Sequence, residues 1–497
     1  MRRVLLPLLA AAALAGSATA ATVRGTQRAD VVRGTPAADR IEARGGNDRI
    51  DVAFGGTDSV ACGAGSDLVV ADETDKVARD CETVVRRISF DPFANPTSQH
   101  STAVEPDSFA WGSTVVATFQ VGRFRDGGAS GIGFALSRDA GRTWRSGVLP
   151  QLTAQNSPPG AQSRASDPAV AYDAAHHTWL ISTLGLTTQT DVAVSRSTDG
   201  GHWTAPVQLA QGPLLDKEWI ACDNGVSSPF RGRCYVLYTD DAQHQMSIQT
   251  SDDGGATWTP PARVTTDLLG AQPEVRPDGS LVVVAVDLPD NTNRGSLLAL
   301  TSTDGGVTFD PGVTVATFTW HAPPRMRAVP LPSAAVSADG TVSVAVQGCA
   351  PTATACSAND VLFTSSADGV TWSPLASVAH GAADRFVVGL DADPLHPGGL
   401  ALVYTLMEPG TCAEAATCRL GIAFQRSSDG GATWSAPRRL DAAAFGQTWL
   451  ADAGGAMLGD YYSVSYAGGR VVPVFTLAEP PLAGRFREAI FATSLPG

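Results

Sequence analysis

The sequence predicts an all-β chain: a β-propeller of seven blades, with six as the alternative, preceded by a short parallel β-roll. Three observations carry this. A tight turn recurs six times, as SRDAGRTW, STDGGHW, SDDGGATW, STDGGVTF, SADGVTW and SSDGGATW. Its aspartates (Asp139, Asp199, Asp253, Asp304, Asp368 and Asp429) are spaced 60, 54, 51, 64 and 61 residues apart, a period suited to propeller blades. Before the later turns stand two apolar strands joined by an Asp- and Gly-rich turn, as in DPAVAYDAAHHTWLIST. Nearer the N-terminus a period of nine takes over, with Asp30, Asp39, Asp48, Asp58 and Asp67 spaced 9, 9, 10 and 9 apart.

The chain opens MRRVLLPLLAAAALAGSATA, with two arginines, an apolar run and an A-x-A site. Residues 1–20 therefore read as a secretory signal peptide, and the mature protein as extracellular. No later stretch reaches 18 uninterrupted apolar residues, so no membrane span is expected. Loss of Arg2 and Arg3 takes the formal net charge from −14 to −16, which argues against a nucleic-acid partner. The eight cysteines form close pairs: Cys62 with Cys81, Cys222 with Cys234, Cys349 with Cys356, and Cys412 with Cys418. In an exported chain these read as four local disulfides. The competing zinc reading needs C-x-x-C or Cys/His clusters, and the sequence has none.

Residues 21–83 make the roll. Two residues after each aspartate stands an aliphatic (Val32, Ile41, Ile50, Val60, Val69), and Gly46, Gly56 and Gly65 precede the later aspartates by two. The pattern resembles the nonapeptide Ca²⁺-binding repeats of RTX-type proteins. The resemblance implies tight glycine turns, inward aliphatics, and Asp39, Asp48, Asp58 and Asp67 offering oxygens to Ca²⁺ between coils. A metal-free roll stapled by a Cys62 to Cys81 bridge is the alternative.

Residues 84–497 make the large domain. DSFAWGSTVVATFQ before the first turn and GDYYSVSYAGGRVVPVFTLAE after the last bring the strand pairs to seven. Seven blades of about 58 residues fill 90–497, and VVRRISFDPF at 84–93 is expected to add the outer strand the last unit lacks. The S-x-D-x-G-x-T-W turn is similar to the Asp box of sialidases, and the domain resembles that BNR-repeat family. Ser and Asp should bond their own backbone, with Trp144, Trp203, Trp258, Phe309, Trp372 and Trp434 packing between sheets. The resemblance places these turns at a rim, away from chemistry.

Chemistry is then sought near the first strand of each unit. Arg123, Arg125, Asp126, Asp167, Asp216-Lys217-Glu218-Trp219, Glu274, Arg325, Arg327, Asp384, Arg385, Asp460, Tyr461 and Tyr462 stand there. Together they form a set of mixed charge suited to a carboxylated or hydroxylated ligand. The family resemblance implies a sialidase-type site, an exo-α-sialidase acting on an extracellular glycan or glycoconjugate without an organic cofactor. Three arginines grip the sugar carboxylate, an Asp serves as acid/base, and a Tyr activated by Glu is the nucleophile. Carried onto this chain, the catalytic candidates are Tyr462, Asp126 and Glu218. The substrate-binding candidates are Arg123, Arg325, Arg327 and Arg385, with Asp167. The chain departs from the family in having no F-R-I-P motif and Val286 where a second triad arginine is usual. A non-catalytic glycan- or protein-binding module is thus the alternative function, and a glycosidase using paired carboxylates such as Asp167 and Glu218 is a third. For Tyr461 and Tyr462 the plain reading is a strand filling its sheet.

Overall fold

The computed structural model describes residues 19–266, 268–289 and 292–497. The expected signal peptide lies outside the described residues, save for its last two. The described chain is all-β; its one helical turn there is the 3₁₀ segment Gln447–Trp449.

The nonapeptide repeats wind into a parallel β-solenoid of about four turns. Alternate repeats fall on opposite faces: β1 (Thr22–Arg24), β3 (Arg40–Glu42), β5 (Ser59–Ala61) and β7 (Lys76–Val77) on one, β2 (Val31–Arg33), β4 (Arg49–Asp51), β6 (Leu68–Ala71) and β8 (Thr83–Arg87) on the other. Register stacks Val23, Ile41, Val60 and Val77 in one column and Val32, Ile50, Val69 and Val84 in the second. The columns meet in a core with Cys62 and Cys81. Gly65 is required by close approach, since a Cβ there would meet the Gly46 carbonyl oxygen at 1.7 Å.

The repeat aspartates form two ladders. Asp39 Oδ1 accepts the Ala21 N–H at 2.7 Å, Asp58 Oδ1 that of Asp39, and Asp75 Oδ1 that of Asp58. On the other face Asp48 Oδ1 accepts from Asp30 at 2.8 Å and Asp67 Oδ1 from Asp48 at 2.7 Å. Each carboxylate thus satisfies a backbone donor one coil away that the narrow turn would otherwise strand.

Antiparallel four-stranded meanders follow. All four expected disulfides are formed. Cys62 bonds Cys81 within the solenoid, and Cys222 bonds Cys234 directly across a pair of neighbouring strands, their Cα atoms 4.0 Å apart. Cys349 bonds Cys356 and Cys412 bonds Cys418, closing short connections between consecutive strands. Cys234 and Cys418 are fully buried, whereas Cys356 is only partly covered. The boxes are self-contained turns as expected. In the third, Asp253 Oδ1 accepts the Ala256 and Thr257 N–H groups, and Trp258 Nε1 donates to the Gly255 carbonyl at 3.2 Å.

The fold class nevertheless needs correcting. A β-propeller of seven or six blades calls for a set of separate four-stranded sheets. Strand pairing gives a β-solenoid whose β2–β8 face continues into the last meander as one eight-stranded sheet, and a second eight-stranded sheet built from residues between Gln99 and Gly212. The joins are Ala129 with Ala165, and Val85, Arg86 and Arg87 with Thr493, Ala492 and Phe491. Unpaired strand edges take the partner lying beside them. The segment from residue 84 does supply a strand to the end of the chain, but as the solenoid's own last strand.

The bridge from Cys62 to Cys81 ties coils 19 residues apart. Replacing both cysteines by serine is expected to destabilise the solenoid by about 3 kcal/mol, from the chain entropy returned to the unfolded loop. The check is a lower melting temperature for C62S/C81S; unchanged melting would show that the ladders alone hold it.

Candidate functional site

The site begins with backbone irregularities. In three successive meanders the first strand carries a β-bulge at Glu105, Asp167 and Lys217, each in the left-handed region with φ of 55°, 47° and 48°. Gly270, at φ 63°, holds the same place in the fourth. A bulge re-aims one side chain, and non-glycine residues held at positive φ store strain. Here three of them bring ionisable side chains into one cluster. Gly459 lets the bend that carries Asp460 lie against Glu105, since a Cβ there would meet the Glu105 nitrogen at 2.7 Å.

The cluster is a continuous chain of polar contacts. Arg123 Nη1 donates to Gln120 Oε1 at 2.8 Å. The Gln120 amide nitrogen donates to Glu105 Oε2 and to Ser166 Oγ, and Ser166 donates to Asp167 Oδ1. Lys217 Nζ, its side chain 7% exposed, lies 3.1 Å from both Asp167 Oδ2 and Asp460 Oδ2. Arg327 grips Asp460 with both ends of its fork, Nη2 at 3.0 Å from Oδ2 and Nε at 3.3 Å from Oδ1. Tyr461 donates to the Pro168 carbonyl and packs edge-on to Trp219, with Lys217 Nζ 5.0 Å above its ring. Arg327, 41% exposed, is the cation of this chain that reaches solvent.

Electrostatics divides the carboxyl groups. Burial, with Asp167 nearby, pushes Glu105 up to about 8, so it is protonated at neutral pH. Burial alone would raise Asp460 too, but Lys217 and Arg327 overcome it and hold that carboxyl well below the usual range. Burial would lower Lys217; Asp167, Asp460 and Glu105 raise it instead. Glu218, buried with no partner on either oxygen, is raised well above normal by burial and then Asp167.

Of the residues expected from sequence, Asp167, Glu218 and Arg327 gather here, with Arg123 at the inner end. Others do not. Asp126 is 74% exposed and pairs with Arg164. Arg325 bonds Gln447 and the Cys412 carbonyl. Arg385 is spent on the carbonyls of His380, Gly381 and Ala383. Tyr462 lies in the hydrophobic core with its hydroxyl accepting from Thr405, and burial raises its pKa, the reverse of nucleophile activation. Val286 is fully buried against Leu297 and Phe318, where no guanidinium fits. Sequence reasoning missed Glu105, Gln120 and Ser166. The signal for Glu105 was its acid-proline pair, E-P in the first unit and D-P at Asp167 in the second.

Among the described residues no group of three His, Cys, Asp or Glu side chains is placed to hold a metal ion. Asp39, Asp48, Asp58 and Asp67 each spend an oxygen on the ladders; Oδ2 of Asp48, Asp58 and Asp67 is buried without a partner.

No protein-family model matches the chain, for the nonapeptide repeats or otherwise, and no curated protein matches it. Among solved structures it is similar to a leech intramolecular trans-sialidase complexed with 2,7-anhydro-Neu5Ac, with 13% identity, 64% of this chain and 67% of that one covered, and a TM-score of 0.43. A Hadza microbial sialidase gives 16%, 80%, 66% and 0.41. A polysaccharide lyase, an ulvan lyase bound to -[GlcA(1-4)Rha3S]-, gives 12%, 82%, 95% and 0.47. The chain thus spans about two thirds of the first two proteins.

Proposed function

We propose that this is an extracellular carbohydrate-active protein, a glycoside hydrolase, with exo-α-sialidase chemistry on extracellular glycans as its narrowest form. The observation that carries the reading is one buried cluster in which Asp460 is paired with Lys217 and Arg327 while Glu105 meets the neutral Gln120 amide, an arrangement that favours Asp460 ionised and Glu105 protonated. Glycoside cleavage asks for that division: an acid to protonate the leaving oxygen and a carboxylate to meet the cationic transition state. Glu105 is the proposed acid, Asp460 the carboxylate, and Lys217 and Gln120 hold them. Arg327 is the group offered to a sugar carboxylate. The four disulfides fit an oxidising, extracellular compartment. For the repeat aspartates the proposed role is the backbone ladder, not calcium.

The test is turnover of a fluorogenic sialoside by wild type, Glu105→Gln and Arg327→Ala. E105Q is expected to lose about 10²–10⁴ in kcat, and the wild-type rate to fall as pH rises through about 8, where Glu105 loses its proton. R327A is expected to raise KM about tenfold. A folded wild type without turnover overturns hydrolysis. A second reading, glycan binding without cleavage, is favoured by the burial of Glu105, Asp167 and Asp460 beneath Arg327. Sialoside binding without turnover, lost in R327A, would establish it.

A further inference from the structure

A cavity of about 320 Å³ opens where the solenoid meets the C-terminal meander. That volume stands at the small end of ligand pockets. Its walls carry three phenyl rings, Phe54, Phe90 and Phe486, and three guanidinium groups, Arg87, Arg485 and Arg487. Phe90 is 47% exposed, an uncovered ring beside the opening. Phe54 sits between two of the cations, with Arg87 4.7 Å and Arg487 5.1 Å from its ring centroid. Its backbone is held at φ 59°, and Ser101 on the same wall at 60°. Such strain in a bulky residue persists where its surroundings over-determine it, and it clusters at ligand clamps.

The donors are partly used and partly free. Arg87 Nε pairs with Asp72 Oδ1 at 2.9 Å, and Arg487 Nη2 donates to the Phe54 carbonyl at 3.1 Å. Each fork has five N–H groups, so each keeps donors for a ligand. Arg485 is exposed and makes no ion pair among the described residues. Asp72 neutralises one of the three charges, and Asp91 on the wall is itself held by His100 Nδ1 and the Ser101 N–H. Glu488 lines the base, 2% exposed, with Oε2 accepting from Ala451 and Oε1 buried without a partner. The balance suits one negative charge on a ligand with an apolar face and a polar group toward Glu488.

We propose that this cavity binds a small carboxylated sugar, a uronic-acid unit of a glycan, with its carboxylate on the arginines and its ring against the phenyl faces. The site is separate from the Glu105–Asp460 cluster and does not rest on the hydrolase reading.

The experiment is titration of sodium glucuronate, with glucose as the neutral control, into wild type, Arg485→Ala, Phe90→Ala and Arg327→Ala, followed by calorimetry. Both cavity substitutions are at exposed side chains, and unchanged melting confirms their folding. Glucuronate is expected to bind wild type and R327A alike, to weaken at least tenfold in R485A and F90A, and to outbind glucose. No glucuronate binding, equal binding of glucose, or unchanged affinity in both cavity variants overturns the proposal. Loss in R327A alone would move the ligand to the other cluster and overturn it too.

Discussion

Lys217→Met is expected to cost about 3–5 kcal/mol of unfolding free energy, because it leaves carboxylates buried without their cation. The ammonium lies 3.1 Å from Asp167 and from Asp460, and its stem is as buried as its partners. Methionine preserves the stem's packing, so the loss is electrostatic and not a cavity effect. Arg327 still holds Asp460, but Asp167 keeps only the Ser166 hydroxyl. The measurement is the urea midpoint of K217M beside K217M/D167N. The double variant should recover part of the loss, since it removes the stranded charge. A wild-type midpoint for K217M would mean that the cluster is solvated and the pairing worth little.

Stability is expected to fall as pH rises from 5 to 8.5. Burial pushes Asp107 up to about 7 although it accepts the Val170 N–H at 2.8 Å, and pushes Asp391 to about 7. Glu105 and Glu274 rise to about 8, Glu274 by burial and then by Asp391 and Asp107. In the unfolded chain these groups titrate near 4. Between the two values the native state keeps protons that the unfolded state has released, so unfolding becomes easier as pH increases. For Asp107 the gap corresponds to roughly 4 kcal/mol, fully present below pH 4 and lost by the time pH passes its folded value. Below pH 4 the slope reverses. Asp253 and Asp304 are lowered to about 2 because their turn hydroxyls and N–H groups outweigh the burial penalty, so their contribution is lost as acid protonates them. A melting-temperature profile over pH 2–9 should peak near pH 4–5; a peak at 7–8 would contradict these environments.

What could be read in the sequence was what is local. An Asp box closes within a few residues, as Asp253 does on Ala256 and Thr257, so its motif and structure coincide. The disulfides span 6 residues, from Cys412 to Cys418, up to 19, and could be paired by proximity. The nine-residue repeat wrote its own stacking. What stayed hidden depends on distant backbone. Nothing near Ala129 or Val85 announces which edge will pair with it, and those pairings are what changed the fold class. The same holds at the site. A strand sends neighbours to opposite faces. Just before the strand Ser463–Ala467, one position separates Tyr461, which joins the charged cluster, from Tyr462, which fills the core. A bulge shifts that parity by one, so Glu105 in plain E-P-D could not be ranked as a buried acid before the bulge was seen. Arginines were the least legible, because Arg325 and Arg385 met carbonyl oxygens that no side-chain pattern encodes.

The strand shared between β8 and the C-terminus also sets an order of events. Solenoid contacts join residues about 18 apart, whereas Arg87 meets Phe491 across some 400. Short loops close early and cheaply, and distant pairings come late. During synthesis the solenoid can therefore form while the rest of the chain is still absent, leaving the outer edge of β8 open. The strand Glu488–Thr493, made some 400 residues later, is the one that covers it. Until that strand docks on the solenoid, the nascent molecule carries an adhesive edge.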